Sequence, residues 1–366
     1  MIRSIAIAGC GVAGLATATL LKRQGAEVVV FDKLQKPSPL GSGLILQPVG
    51  LYVLDQLGVG ARVRALGARI ERLYGRTAPA QRVVLDVRYR ALGEGKPCGV
   101  GIHRGALFEV LYGAAQSAGV VIEAGREVRG AGDGRLVFAD RGQSPRFDLV
   151  VDALGMRSPL SAPQPTPLTF GALWANLDWC GDFDPHALEQ RYEQARKMTG
   201  VLPIGRLRDD ARQQAAFFWS LKGADEAAWR AQPIETWKDE VQRLWPATAP
   251  LLAQIASHDD LVFARYAHRT RAPVTRDLDA LALAAALDAR ADLRDALEDY
   301  ARTRSTHIGL YQLASLLFTP AYQSDSAAIA WLRDWLMSPL SRVPPAPRIL
   351  AALVAGQIGS PLARIG

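Results

Sequence analysis

The chain has 366 residues, 49% apolar and 22% charged, which places it among globular proteins and sets aside disordered, collagenous and disulfide-framework chains. Its length predicts two or three domains, each large enough to bury a core. The net charge of +7 comes from 43 basic and 36 acidic residues scattered without runs, so a solvated basic surface is expected rather than a face for nucleic acid or acidic membranes.

Three cysteines, Cys10, Cys98 and Cys180, lie far apart without CxxC spacing; no metal site and no disulfide is expected, and a cytoplasmic location fits. No segment reaches the ~18 uninterrupted apolar residues of a membrane span. The apolar N-terminus is broken by glycines and lacks a small-residue cleavage site, unlike a signal peptide.

Residues 2–8 (IRSIAIA) read as a short β-strand, followed by Gly9-Cys10-Gly11-Val12-Ala13-Gly14 and then by LATATLLKRQG with helical spacing. Gly25 supplies a helix stop, residues 28–31 read as a buried second strand, and Asp32 ends it. This is the dinucleotide fingerprint in its required context. Gly9 permits the sharp turn, Gly11 lets the backbone approach a pyrophosphate, and Gly14 lets the helix pack on the strand. The helix N-terminus offers N–H groups to phosphates, and Asp32 can accept the hydrogen bonds of an adenosine ribose. An ADP-containing cofactor is expected.

Residues 40–59 (LGSGLILQPVGLYVLDQLGV) then place a Gly-Ser-Gly turn before a strand and a helix. Gly101-Ile102-His103-Arg104 opens another helix, GALFEVL, and a short strand carrying Val128 follows Gly125. Residues 70–87 hold two strands about Ala78-Pro79, and residues 168–264 alternate in a way that predicts an antiparallel sheet. Phe217 and Trp219 share one face; with Trp174 and Tyr266 they are candidates for an aromatic wall, although sheet core is the commoner role for such residues. The C-terminal end reads as two helices separated by Thr319-Pro320, the second after a serine cap. Its stripe of Ile329, Leu332, Trp335 and Leu336 suits core packing or a dimer contact ahead of a membrane surface.

These segments together resemble the group A flavoprotein monooxygenases, the para-hydroxybenzoate hydroxylase family. The family carries a GxGIxLxPNxxxxLxxLG segment, matched in part by residues 41–58, and an arginine-led helix start, here Arg104-Gly105-Ala106-Leu107 followed by Leu111. Its DLVVGADGxxSxVR motif is matched in part by residues 148–160 (DLVVDALGMRSPL). Asp148, Gly155, Arg157 and Ser158 hold their places there. Leu154 replaces the motif aspartate, Asp152 the glycine and Ser161 the arginine, which bears on the NAD(P)H contact more than on the FAD site.

The resemblance implies an α/β fold: a Rossmann-like FAD-binding domain (residues 1–69, 99–165 and 271–300), an inserted antiparallel β-sheet substrate domain (70–98 and 166–270) and a helical C-terminal region (301–366). It implies an FAD-dependent monooxygenase with non-covalent FAD, NADH or NADPH as reductant, O2, and a small aromatic or similar substrate oxygenated through a C4a-hydroperoxyflavin. No nucleic-acid partner is implied.

In that family, residues at the positions of Gly9, Gly11, Val12, Ala13 and Gly14 hold the ADP phosphates, and Asp32 with its neighbour Lys33 lies at the adenosine ribose. The Gly41-Ser42-Gly43 turn implies the isoalloxazine edge, Arg104 the pyrophosphate side, Val128 the adenine and Gly155 the ribityl region. His103, Tyr266 and His268 are candidates for a base that deprotonates a phenol, and none is assigned. The alternatives are a flavin oxidase or reductase of the same fold, or a non-catalytic nucleotide-binding protein.

One family signature is missing. A Gly-Asp turn followed by AAHxxxPxxGQGxN belongs after the strand carrying YAHRTRAPV, yet residues 274–278 (VTRDL) join that flank directly to the next helix. No glycine occurs between Gly223 and Gly309 to replace it. The preferred reading is a chain interrupted there, with the Cα atoms of Arg276 and Asp277 farther apart than the ~3.8 Å of a trans peptide. The other is true loss of the loop, which leaves an open core and an unpaired sheet edge.

Overall fold

The computed structural model describes residues 4–36, 41–161, 164–268 and 277–359. β1 (Ser4–Ala8), α1 (Val12–Arg23) and β2 (Glu27–Phe31) form the expected strand, turn, helix and strand. There follow β3 (Leu44–Leu46), α2 (Pro48–Gln56), α3 (Gly60–Leu66) and β4 (Ala68–Ile70). β5 (Arg72–Thr77) and β6 (Val83–Arg88) form a hairpin before β7 (Gly99–Ile102), α4 (Arg104–Ser117) and β8 (Val121–Glu123). A second hairpin of β9 (Val128–Gly132) and β10 (Arg135–Phe138) leads to β11 (Leu149–Asp152).

The long β12 (Thr166–Asp178), β13 (Ala187–Glu193), β14 (Lys197–Pro203) and β15 (Gln214–Lys222) come next. Then follow α5 (Glu226–Ala231), α6 (Ile234–Leu244), α7 (Ala249–Leu252) and β16 (Val262–His268). The end is helical: α8 (Asp277–Ala289), α9 (Leu293–Tyr322), α10 (Ala327–Leu332), a π-helical turn over Arg333–Met337, α11 (Ser338–Leu340) and α12 (Ala346–Val354).

The nucleotide fingerprint sits in a parallel sheet of order β11-β1-β2-β8. Ile5, Ile7, Val28 and Val30 face a core shared with Leu15, Leu51, Leu107 and Leu111, while Ala6, Ala8 and Phe31 face the β9–β10 hairpin through Leu136 and Phe138. Burial on both faces is why these strands read as unbroken apolar runs. α8 lies over α1; its Ala280 and Ala284 are small enough to bring the two helices close, and both are buried in that core.

The second layer is a seven-stranded sheet of order β16-β12-β15-β14-β13-β5-β6. It is mostly antiparallel, with β5 and β13 parallel. One face is roofed by α5, α6 and α7, whose Trp229, Trp237, Val241 and Leu251 bury Leu173, Phe217 and Trp219. The other face turns toward the nucleotide layer, where Leu202, Ile204 and Ala216 meet Ile70 and Tyr89.

Register corrects the aromatic wall. Phe217 and Trp219 do share a face, but Trp174 pairs with Phe218 across β12 and β15, so it points the opposite way. The inward pair is Trp174 and Phe218, ring centroids 4.9 Å apart. At the C-terminal end, α9 continues through Pro320 to Tyr322 rather than stopping before it. Ser326 caps α10 as expected, accepting from the Ile329 N–H. The stripe on this segment is not core: Leu332, Trp335 and Leu336 are exposed, and Ala330, Arg333 and Ser338 are buried instead. The Arg276–Asp277 junction, and the spacing expected of it, lies outside the described residues.

Candidate functional site

The first element of the site is the N-terminus of α1. Gly11 is its N-cap, no side chain caps the helix, and its first turn holds no acidic residue, so the leading N–H groups are left to a ligand. The turn admits only glycine at Gly14, where a Cβ would stand 2.0 Å from the Gly9 carbonyl oxygen. At Gly11, in contrast, a Cβ would meet nothing within 4 Å, because the backbone there borders open space. Val12 and Ala13 begin the helix beside that space.

Asp32 closes the same corner. Its carboxylate accepts the Cys10 N–H at 2.8 Å and the Leu34 N–H at 2.9 Å, which fixes it over the glycine turn with lone pairs remaining. Burial, reinforced by Asp32, pushes the Cys10 thiol up to about 12, so it stays protonated and inert. Lys33 lies in the bend that follows, and Val128 is buried in one cluster with Phe31 and Phe138.

The second element is the turn of Gly41, Ser42 and Gly43. A Cβ on Gly41 would come within 3.6 Å of the Arg104 guanidinium, and one on Gly43 would strike Ile204 at 2.2 Å. Gly43 therefore serves packing of the two layers. Arg104 opens α4 beside this turn, and its guanidinium makes no hydrogen bond or ion pair with the described residues. An unpaired cation beside the Gly41–Gly43 turn suits an anionic ligand.

Sequence reasoning missed the groups that complete this region. The Asn176 amide on β12 lies 3.0 Å from His103 Nε2 and 2.5 Å from Ser42 Oγ, joining the two layers through polar atoms. The available signal was a lone polar residue two positions from Trp174 on the inward face of a strand. His103 is also the N-cap of α4, its Nδ1 accepting from the Gly105 N–H at 2.9 Å. Burial lowers its pKa, so the ring is neutral at pH 7. With both ring nitrogens engaged, His103 is not a free base. Tyr266 is half-buried and its hydroxyl is held by the Trp174 indole; desolvation pushes it up to about 12, so it stays protonated. The His268 side chain lies outside the described residues.

Asp152, the residue in the place of the motif glycine, organises the turn around Gly155. It accepts from Ser158 Oγ at 2.6 Å, Ser161 Oγ at 2.7 Å and the Leu154 N–H at 3.1 Å. The two serines and the Asp152 carboxylate together hold the turn in which Leu154 and Ser161 depart from the motif. Beyond it a cavity of about 670 Å³ opens between Arg157, Arg265, Tyr266 and the α9 residues Ser315 and Thr319. Among the described residues no cluster of His, Cys, Asp or Glu could hold a metal ion, and no helix is long and apolar enough to cross a membrane.

Comparison with known proteins agrees with this corner. Residues 3–162 match the family model described as the FAD binding domain. The chain is 35% identical over 162 residues to the 3-amino-4-hydroxybenzoate 2-monooxygenase of Streptomyces cremeus, a match covering 42% of this chain and 40% of the relative. It is 31% identical over 125 residues to 3-hydroxybenzoate 6-hydroxylase 1 of Aquipseudomonas alcaligenes, covering 33% and 31%. The matched part thus spans well under half the length of these relatives. The aurachin C monooxygenase/isomerase of Stigmatella aurantiaca matches over 92% of this chain and 94% of its own, at 24% identity. Among solved structures, 2-methyl-3-hydroxypyridine-5-carboxylic acid oxygenase superposes with a TM-score of 0.77 at 19% identity, covering 100% of this chain and 98% of that one. Klebsiella pneumoniae HpxO, solved with FAD and uric acid, gives 0.75 at 17% identity, covering 98% of each. The architecture is the fold shared by these solved oxygenases, and the part that matches the FAD binding domain model holds the glycine turn and Asp32.

Proposed function

We propose, for a chain that belongs over residues 3–162 to the FAD binding domain family, the activity of an FAD-dependent monooxygenase acting on a small aromatic substrate. The observation that carries this reading is the Asp32 carboxylate locked over an uncapped glycine-turn helix. These residues fit the adenosine diphosphate half of FAD: open space at Gly11 for phosphates and free lone pairs on Asp32 for a ribose.

In this reading Gly9, Gly11, Val12, Ala13 and Gly14 hold the phosphates, Asp32 and Lys33 border the ribose, and Val128 and Gly155 border adenine and ribityl chain. Arg104 neutralises the pyrophosphate, and the Gly41–Gly43 turn meets the flavin ring edge. When bound, reduced by NADH or NADPH and supplied with O2, the flavin provides the oxygen-transfer chemistry. The chain's own residues bind, orient and exclude water. Trp174 and Phe218 offer an apolar wall on the inward face of the large sheet, and Tyr266 is a protonated donor beside it.

The test is NAD(P)H consumption by the FAD-loaded protein across a panel of phenols, hydroxybenzoates and hydroxypyridines, with product masses recorded. The reading predicts that at least one aromatic stimulates consumption and gains one oxygen atom. FAD-loaded protein that consumes NAD(P)H without any oxygenated product points to the reductase or oxidase alternative.

A further inference from the structure

From Ala327 to Leu340 the chain is one helical run made of α10, the π-helical turn and α11. It is built inside out. The side chains it turns to the protein are small or polar: Ala330, Arg333 and Ser338 are each at most 4% exposed. The Arg333 guanidinium donates to the carbonyl oxygens of Ala321 at 2.9 Å and Gln194 at 3.0 Å and pairs with Asp334, while Ser338 Oγ donates to the Val83 carbonyl oxygen at 2.6 Å. These bonds seat the run on β6, the edge strand of the seven-stranded sheet, and so fix which side turns outward. That side carries Trp331, Leu332, Trp335, Leu336, Met337 and Leu340, all between 37% and 62% exposed. Trp331 and Trp335 are four apart, as are Leu332, Leu336 and Leu340, so they stack along one face. A single exposed leucine is ordinary, but a contiguous apolar face on a polar-backed helix marks a surface that something other than water covers.

We infer that this face docks on an anionic lipid bilayer, with the run lying in the plane of the headgroups. Charge selects this occupant. The Arg82 guanidinium lies 3.5 Å over the Trp335 ring, and Arg342 and Arg348 follow the run in sequence beside exposed Val343 and Ile349. Arg342 reaches only the Val83 carbonyl oxygen and Ser338 Oγ, and among the described residues none of the three arginines has an acidic partner. The acidic residues of this end of the chain are already taken, Asp334 by Arg333 and Asp325 by Arg196 and Lys222. A two-fold contact between copies would set this acid-free face against itself and leave its arginines nothing to pair with. Anionic headgroups supply phosphates to the arginines, the headgroup level suits the tryptophan rings, and the acyl boundary takes the leucines. The contact is peripheral, since no helix among the described residues is long and apolar enough to cross a membrane.

The test is co-flotation of the full-length protein with lipid vesicles at low salt, and it needs neither flavin nor substrate. Vesicles of phosphatidylglycerol and phosphatidylcholine in equal parts should bind the protein roughly 10- to 100-fold more tightly than vesicles of phosphatidylcholine alone, and salt at about 0.5 M should remove most of that difference. Trp335→Ser combined with Leu336→Ser should weaken binding to the anionic vesicles at least about tenfold. Arg342→Gln combined with Arg348→Gln should weaken it about tenfold there and leave binding to phosphatidylcholine unchanged. All four side chains are exposed, so the urea midpoint should stay at the wild-type value, which separates lost docking from lost folding. Protein that fails to float with anionic vesicles overturns the inference, and so does equal binding to both vesicle types. Anionic-vesicle binding that survives Trp335→Ser with Leu336→Ser places the contact elsewhere and overturns it too. A dimer in light scattering that these two substitutions dissociate gives the face to a second copy and overturns the lipid assignment.

Discussion

Asp32 shows how a single carboxylate joins sequence to chemistry. Two backbone N–H groups hold it, from Cys10 inside the glycine turn and Leu34 beyond the strand, so its position is set before any ligand arrives. Asp32→Ala removes both the ribose acceptor and the clasp on the turn. Charge-assisted hydrogen bonds contribute about 1.5–3 kcal/mol, so FAD affinity should fall roughly 10- to 100-fold in a fluorescence titration. Unchanged affinity would remove Asp32 from the site. This residue and the glycines were legible in the sequence because their geometry is local, set within one strand, turn and helix. Asn176 was not, because its meaning depends on a register 73 positions from His103 and on which face of β12 looks inward. The Asp152 turn was half legible: the departures from the motif were visible, but not that Ser158, Ser161 and Asp152 bond to one another.

Elements were read best where periodicity and burial agree. β15 shows the limit: Phe217, Phe218 and Trp219 are all buried because both faces of the sheet are covered, and only the pairing with β12 separates the aromatic pair of one face from that of the other. Pro320 misled because it stands in the last turn of α9, where few further backbone bonds are left to lose. α8 and α9 are joined by a buried ion pair, Arg304 Nε to Asp279 at 2.6 Å, both side chains 4% exposed. Arg304 continues to His307 at 3.0 Å, and His307 to the Gly356 carbonyl oxygen at 3.1 Å, so one polar chain ties α8 to the C-terminal end. Arg304→Leu removes the buried cation paired with the Asp279 carboxylate, which keeps the Tyr300 hydroxyl donor, and should cost about 3–5 kcal/mol in urea denaturation. The double substitution with Asp279→Leu should recover most of that loss; no recovery would mean packing, not charge, sets the cost.

At the scale of the molecule, two sheets meet across a seam lined by Ser42, His103, Asn176 and Trp174, with the nucleotide corner at one end and the 670 Å³ cavity beside β16. The family resemblance placed a Gly-Asp turn between β16 and α8, and that segment, residues 269–276, is outside the described residues. Among the described residues β11 pairs with β1 alone and stands at the edge of the parallel sheet, its residues Leu149–Asp152 all partly exposed. Elsewhere the C-terminal helices carry exposed Leu316, Leu317, Trp331, Trp335 and Leu340, a face that apolar periodicity alone could not distinguish from core.

The adenosine diphosphate half of the ligand is where fold, glycine turn and Asp32 coincide, so binding itself is the central claim. Equilibrium titration of the full-length chain with FAD, followed by displacement with ADP, tests it most directly. The account predicts saturation at one FAD per chain and displacement by ADP in competition for one corner. A chain that binds neither nucleotide, or an FAD that ADP does not displace, contradicts it.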